Sequence, residues 1–194
     1  MTKEYVCKML ASQKLISIGT TGKDYPDNSV VCFSFDEDCN LYFGSYSDTL
    51  KCKNIAFNKH VAITVGTLQI HGIASVVEYG TPEYNIGREN YDGRFPQYVE
   101  VFEKMDNELY IIKPLVIWNY NPSLGGEMYR EMLVFDENYL NQIEVYYPHA
   151  YKKDNVEYWK SLIPTIKNVK FQFGGVSNSN LRRWQNVSYI CYGN

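Results

Sequence analysis

A cluster of hydroxyl and ammonium side chains in this 194-residue chain could bind an anion. Its members alternate along the sequence and are Ser45, Ser47, Thr49, Lys51 and Lys53. Hydroxyl groups donate hydrogen bonds and ammonium groups add positive charge, and a bound phosphate needs both. The alternative is that the lysines are solvated surface groups, one of them loosely paired with Asp48. The spacing of these residues leaves both interpretations open.

The segment that must position this cluster runs from Leu41 to Gly66. Its aromatic opening and its β-branched end predict two strands, with a short helix between them. Ser47 or Asp48 is predicted to cap the helix, and Asn58 is predicted to end it in a left-handed conformation. The lysines then fall in the first turn, at the positive end of the helix dipole, where a bound anion is favourable. The helix start is therefore a candidate phosphate site.

Further patterns continue on both sides of this segment. Before it, ISIGTTGKDYPDNSVVCFSF contains a strand, a polar turn and the first strand of a hairpin. After it come LQIHGIASVVEY, RFPQY and LYIIKPLVIWNY. From Ile16 to Tyr120 these segments, taken in order, resemble the pyridoxamine 5'-phosphate oxidase-like family of FMN-binding split barrels. The resemblance implies a mainly β fold with α: a split barrel of antiparallel strands with flanking helices, followed by a C-terminal extension.

Two strand predictions bear on the barrel. Small residues at Gly72 and Ala74, on the predicted strand Leu68–Tyr79, indicate that another group approaches that face closely. Farther along, Leu109–Ile112 and Leu115–Tyr120 are predicted as two strands, or as one strand broken at the proline between them.

The chain is predicted to divide near residue 124. Residues 1–124 are expected to form the FMN-binding split-barrel domain. Residues 125–194 are expected to form an aromatic-rich extension that packs on the barrel or on a partner subunit. A helix is predicted at Asn155–Leu162 and a strand at Val169–Phe173. Many of the 18 tyrosines lie in this last third, and tyrosine combines a large apolar ring with a polar tip.

The resemblance implies FMN as the cofactor and assigns it residue by residue. Thr49 and Lys51 match the polar-x-lysine pattern that meets the phosphate in the family. Trp118 is a candidate for stacking on the flavin ring, with a core or interface tryptophan as the alternative. The end of the strand before the helix and the strand that runs along the flavin supply the other binding residues: Gly44, Ser45, Asn28, Ser29, Val30 and Val31.

The chain departs from the family at positions where the oxidase proper has basic residues. These positions hold Asn28, Phe33 and Leu50. Arginine is the side chain best suited to bind phosphate in a fork, so its absence lowers the expected affinity. The same departures argue against true pyridoxamine 5'-phosphate oxidase activity, because the substrate phosphate needs a basic site of its own.

The first functional hypothesis is an FMN-dependent oxidoreductase that acts on a small-molecule substrate or electron acceptor. NADH and NADPH are candidate electron donors, and the resemblance implies a homodimer with FMN at the subunit interface. A second hypothesis is a non-catalytic protein that binds or senses flavin or haem. A third is a ligand-free interaction module, supported by the tyrosine-rich last third. No side-chain constellation identifies a catalytic residue, and hydride chemistry on a flavin requires little more than orientation.

Composition excludes several classes of function. The formal net charge of -3, from 19 Lys and Arg against 22 Asp and Glu, argues against a nucleic-acid surface. Five cysteines without CxxC spacing and three histidines give no metal pattern, so reduced thiols are expected. No apolar run reaches the ~20 residues of a membrane helix, and the N-terminus does not read as a signal peptide. A cytoplasmic location is the resulting expectation.

Overall fold

The computed structural model describes residues 1–104, 106–120, 130–140, 145–147, 169–172 and 188–192. Its helices are α1 Lys3–Ala11, α2 Leu50–Phe57, α3 Pro82–Arg94, α4 Val99–Lys104 and α5 Glu137–Leu140, with a 3-10 turn at Pro96–Tyr98. Its strands are β1 Leu15–Thr21, β2 Pro26–Cys32, β3 Ser34–Phe35, β4 Leu41–Tyr46, β5 His60–Val65, β6 Leu68–Val76, β7 Asn107–Tyr120, β8 Arg130–Val134, β9 Val145–Tyr147, β10 Val169–Gln172 and β11 Ser188–Tyr192.

Eight strands form one mainly antiparallel sheet, in the order β2-β1-β5-β6-β7-β4-β3, with β8 also paired to β7. β2 and β3 stand at opposite ends of this order, yet only Phe33 separates them along the chain. The sheet must therefore curl until its two ends meet. The result is a split barrel with flanking helices, which confirms the predicted fold class.

The barrel interior is filled by aliphatic side chains from neighbouring strands. One row of directly paired residues crosses four strands and is almost fully buried: Ile18, Ile63, Ile70 and Ile117. Directly paired residues in a sheet share a face, so the row forms a continuous apolar layer. Burying each such side chain stabilises the fold by roughly 1.5–3 kcal/mol.

A second core lies where α3 and α4 cover the outer face of β4 and β7. Its buried members are Tyr42, Val77, Tyr91, Phe95, Phe102, Leu109 and Ile111. Gly87 permits this packing, because a β-carbon there would lie 2.6 Å from the Tyr42 ring and 2.9 Å from Leu109. α3 begins with Thr81 as its N-cap, whose side chain accepts a hydrogen bond from the N–H of Tyr84.

The structure resolves the alternatives for the last barrel strand in favour of one strand. β7 runs without interruption through Pro114, which lies opposite Gly72 at a β-bulge in which Leu115 of β7 is the extra residue. Proline offers no N–H to the ladder, and a bulge tolerates that loss. A β-carbon on Gly72 would lie 2.7 Å from Ile112 and 2.9 Å from the Lys113 carbonyl oxygen. The close approach predicted at Gly72 is therefore that of β7.

Helix α1 is held at both ends. The Thr2 side chain accepts a hydrogen bond from the N–H of Tyr5, which caps the first turn. At the other end, the guanidinium of Arg94 in α3 donates to the carbonyl oxygens of Leu10, Ala11 and Gln13, with 3.0 Å to Leu10. Cations at a helix C-terminus are favourable because the carbonyl groups there are unsatisfied. This contact fixes α1 to α3.

The described residues divide into two compact units. Residues 1–120 and 130–133 form the barrel unit, and the described residues from Val134 onward belong to the other. In that second unit, β10, β11 and β9 form an antiparallel sheet, which confirms the strand predicted at Val169–Phe173. The helix predicted at Asn155–Leu162 and the boundary at residue 124 lie outside the described residues. None of the described helices is both long and apolar enough to cross a membrane.

Candidate functional site

The start of α2 differs from the prediction in its capping residue. The N-cap is Thr49, with extended backbone, and neither Ser47 nor Asp48 occupies that position. The cause is the tight turn after β4, in which the Thr49 N–H donates to the Tyr46 carbonyl oxygen at 3.2 Å. The other end also differs, since Asn58 is extended and not left-handed, and its side chain accepts from the N–H of His60. Asn58 therefore leads directly into β5.

The first turn of α2 has unused hydrogen-bond donors. The Thr49 hydroxyl donates backwards to Tyr46 at 3.0 Å and makes no capping bond. Within the described part of the chain, the N–H groups of Leu50, Lys51 and Cys52 find no acceptor. The turn contains no acidic residue that could balance the helix dipole. These donors and the dipole together favour an anion.

Lys51 and Lys53 occupy different environments in this turn. Lys51 is half-buried and Lys53 is exposed. Neither lysine forms an ion pair with any residue that the structure describes. Lys51 is thus the cation better placed to be held against an anion at the helix start.

Two hydroxyl groups lie next to each other beside this turn. The Ser45 and Thr49 oxygens are 3.3 Å apart, and Ser45 is buried at the end of β4. Gly44 precedes it, and a β-carbon there would overlap the Phe102 ring, whose Cδ2 atom would lie at 2.9 Å. The structure therefore brings Ser45, Thr49 and the first turn of α2 together, while the need for glycine at Gly44 is explained by packing.

Sequence reasoning missed three side chains next to Ser45. Glu108 lies directly opposite Ser45 on β7 and accepts a hydrogen bond of 2.7 Å from the Tyr110 hydroxyl. Burial, followed by hydrogen bonds with Cys52 and Glu108, raises the pKa of the Tyr110 phenol above its ordinary value. The Tyr110 phenol near the helix start therefore stays neutral. Only the pairing of β4 with β7 could have revealed this neighbourhood.

The predicted flavin-facing strand is β2, at one end of the sheet order. Asn28 and Val30 are exposed on its outer face, whereas Ser29 and Val31 alternate toward the barrel interior. β2 pairs with β1 on one side, and no other described strand pairs with its second edge, which there offers a row of backbone donors and acceptors. Such groups are suited to the polar rim of a flavin ring.

Asn54 joins α2 to this strand and was not singled out from the sequence. Its buried amide donates to the Thr20 hydroxyl at 3.1 Å and to the Tyr25 carbonyl oxygen at 3.2 Å. Lys51 is one helical turn away, about 4.5 Å along the axis. The start of α2 and the start of β2 therefore belong to one region of the molecule.

Trp118 lies ten residues along β7 from Glu108, the residue opposite Ser45. It is buried, its indole nitrogen has no hydrogen-bond partner among the described residues, and His71 packs against it edge-on at 4.8 Å. Burial, followed by the charge of His60, lowers the pKa of His71. Trp118 is thus covered by side chains of its own chain.

No group of three or more His, Cys, Asp or Glu side chains in the described residues is arranged to hold a metal ion. The candidate site consists of backbone N–H groups, hydroxyls and Lys51, and these groups favour an anion.

Comparisons with known proteins bear on the fold. Searches against family models and curated sequences gave no match. Among solved structures, a protein from Listeria innocua proposed to be a pyridoxamine 5'-phosphate oxidase shares 19% identity, with a TM-score of 0.51, over 59% of this chain and 94% of its own. HutZ, the haem storage protein of Vibrio cholerae, shares 14% sequence identity, with a TM-score of 0.51, over 68% of this chain and 92% of its own. An FAD-binding protein from Mesorhizobium loti shares 13% sequence identity, with a TM-score of 0.50, over 60% of this chain and 90% of its own.

The fold is that of the pyridoxamine 5'-phosphate oxidase-like split barrels. These identities are all below 20%, so the likeness establishes the architecture and assigns no role to any residue. Within this split barrel, the candidate site lies where the α2 start meets β4, near β2.

Proposed function

We propose that this split barrel binds FMN and uses it as a flavin-dependent oxidoreductase. The observation that carries the proposal is the uncapped start of α2, where half-buried Lys51 and free N–H groups lie beside the paired hydroxyls of Ser45 and Thr49. An FAD-binding protein among the structural neighbours supports a flavin as the ligand.

Different groups of the chain would bind the phosphate and the ring of FMN. Lys51 and the N–H groups of the first turn would bind the phosphate, with Ser45 and Thr49 as hydroxyl partners. The free backbone edge of β2, from Asn28 to Val31, would face the polar rim of the ring. When bound, FMN supplies hydride or single-electron transfer, and the protein supplies binding and orientation. Helix α2 contains no basic residue beyond the two lysines, and the family's basic positions hold Asn28, Phe33 and Leu50, so pyridoxamine 5'-phosphate is not the proposed substrate.

A homodimer is part of the proposal. It rests on the family resemblance, which implies FMN at the interface between two subunits. NADH and NADPH are the proposed electron donors, with a small molecule as the acceptor.

The second candidate function is non-catalytic binding of haem. HutZ, a haem storage protein, has the same fold, and only two cations lie in the first turn of α2. Haem carries propionate carboxylates in place of a phosphate, and these are also anions that a lysine can contact. The two functions are therefore distinguished by which ligand binds, FMN or hemin.

Substitution of Lys51 by methionine tests the phosphate assignment. A charged hydrogen bond contributes about 1.5–3 kcal/mol, so Lys51→Met should raise the FMN dissociation constant roughly 10- to 100-fold. Lys53→Met is the matched control, because that lysine is exposed in the same turn and should change the constant less than about threefold. Quenching of flavin fluorescence on titration measures both constants.

Riboflavin and hemin complete the experiment. Riboflavin lacks the phosphate, so the Lys51 variant should bind it as the unaltered chain does. Equal FMN affinity in all three proteins would contradict the phosphate assignment. An intense Soret band on hemin titration, together with indifference to FMN, would favour the haem function instead.

A further inference from the structure

Two thiols from distant parts of the sequence meet on the side of the barrel unit that carries α1. Cys7 in α1 and Cys39 in the turn between β3 and β4 have their Sγ atoms 3.6 Å apart. Both are free cysteines, Cys39 buried and Cys7 half-buried. A disulfide needs the sulfurs at about 2.0 Å, so the two Sγ atoms would have to approach by about 1.6 Å.

The turn holds Cys39 in a fixed position. Its φ of 65° makes it the one non-glycine residue at positive φ in the part of the chain that the structure describes. The Asp36 carboxylate accepts hydrogen bonds from the N–H groups of Asp38 and Asn40, and the Asp36 carbonyl accepts from the N–H of Cys39. Glycine or asparagine adopts this conformation more readily than cysteine, so the position bears a cost that a thiol function would explain.

Cys7 is reachable from solvent. It lines a surface cavity of about 780 Å³ between α1, the β3–β4 turn and α3. Four carboxylates line the same cavity: Glu4, Asp36, Glu37 and Asp38. Such a wall repels an anionic oxidant such as glutathione disulfide and admits a small neutral one.

We propose that Cys7 and Cys39 form a reversible disulfide when a neutral hydroperoxide enters this cavity. The Cys7 thiolate attacks the hydroperoxide, the O–O bond breaks, and Cys7 becomes a sulfenic acid while an alcohol or water leaves. The Cys39 sulfur then attacks the Cys7 sulfur, the S–O bond breaks, and the departing hydroxide takes the Cys39 proton as water. The two thiols lose two electrons and the hydroperoxide gains them.

The environments of the two cysteines decide which one attacks the hydroperoxide and which one then attacks the sulfenic acid. Cys7 meets the oxidant because it lines the cavity. Burial, with hydrogen bonding to Cys7 next, raises the pKa of Cys39 to about 12, which keeps Cys39 protonated until Cys7 has been oxidised. The resulting bond would join α1 to the β3–β4 turn covalently.

The test uses the full chain and hydrogen peroxide. After limited oxidation and alkylation of the remaining thiols, peptide mass spectrometry should recover Cys7 and Cys39 as one linked species, two hydrogen atoms lighter than the separate thiols. Dithiothreitol should reverse the link. Glutathione disulfide at equal concentration should form it several-fold more slowly, and a faster reaction would overturn the assigned class of oxidant.

Three variants make the result specific. In Cys39→Ser the Cys7 sulfenic acid has no resolving thiol, so its trapping by dimedone should rise several-fold over the unaltered chain. In Cys7→Ser the buried Cys39 should stay unlabelled. Cys32→Ser, which alters another half-buried thiol, should leave the link intact. Recovery of Cys7 and Cys39 as separate alkylated thiols in the oxidised chain, or scrambled pairing with other cysteines, would overturn the proposal.

Discussion

Two glycines of α3 differ in their surroundings, and this difference determines the effect of an added methyl group. At Gly87 a β-carbon would overlap the Tyr42 ring, whereas at Gly93 it would meet nothing within 4 Å. Overpacking destabilises a protein by roughly 1–3 kcal/mol, and the better helix propensity of alanine offsets up to about 1 kcal/mol of that loss. Gly87→Ala should thus lower the free energy of unfolding by about 1–2 kcal/mol, while Gly93→Ala should raise it by about 0.5.

Urea unfolding of the two alanine variants measures this difference. Both substitutions have the same chemistry and the same helix, so a common shift would reflect helix propensity alone. Equal stability of the two variants would show that α3 is not packed against β4 at Gly87.

The pH dependence of stability can be predicted at His71. Its folded pKa lies below the unfolded value of 6.5, because burial and the charge of His60 oppose protonation. The unfolded chain therefore binds more protons just below pH 6.5, and stability should fall as the pH drops from about 6.5 toward the lowered pKa. Above that window the neutral histidine contributes fully.

The His71→Gln variant isolates this effect, because glutamine stays neutral throughout. When the pH is lowered from 7.5 to 5.5, the midpoint of thermal unfolding should fall by a few degrees more in the unaltered chain than in the variant. Parallel curves for the two proteins would contradict the lowered pKa.

Single residues of the site could be predicted to different extents. The place of Lys51 in the first helical turn followed from the sequence, because local helix signals fix the register of the lysines to within a residue. The choice of Thr49 as N-cap did not, since it depends on the hydrogen bond that ties Thr49 to Tyr46. The neighbourhood of Glu108 depends on the pairing of strands more than 60 residues apart.

At the scale of elements, β6 and β7 are joined where a small residue meets a proline. Alanine at Gly72 would place a β-carbon 2.9 Å from a backbone oxygen of β7, which cannot rotate away as a side chain can. We expect Gly72→Ala to lower the free energy of unfolding by about 2–3 kcal/mol. Gly19→Ala on β1 is the control, since its β-carbon would make an ordinary contact of 3.4 Å and should change stability by about 0.5 kcal/mol or less.

Urea midpoints of these two variants give the answer directly. If both alanine variants lose the same free energy of unfolding, the requirement for glycine at position 72 comes from strand conformation and not from the approach of β7.

Elements were predicted well where a local pattern was complete. The β-branched residues that predict β5 are a local pattern, and the strand appears as expected. The continuity of β7 was left open, because Pro114 forbids one ladder bond and only the bulge at Leu115, next to that proline, shows how the loss is absorbed.

At the scale of the whole molecule, the order of elements was sufficient to predict a split barrel, and the structure confirms it. The order of strands in space could not be read from the chain, because pairing partners such as β4 and β7 are chosen by tertiary packing. FMN, the homodimer, the nicotinamide donor, the cytoplasmic location and the role of residues 125–194 stay predictions.

The join between β2 and β3 has a consequence for how this chain folds. The hairpins β1–β2 and β5–β6 involve neighbours in sequence and can form early. The barrel cannot close until β7 reaches β4, and that step pairs Leu41 with Ile112 across 71 positions of chain. Such distant pairing carries a large loop-closure entropy, so the chain has a high contact order. Slow refolding, in the millisecond-to-second range of β-rich domains, follows from the same connection that closes the barrel.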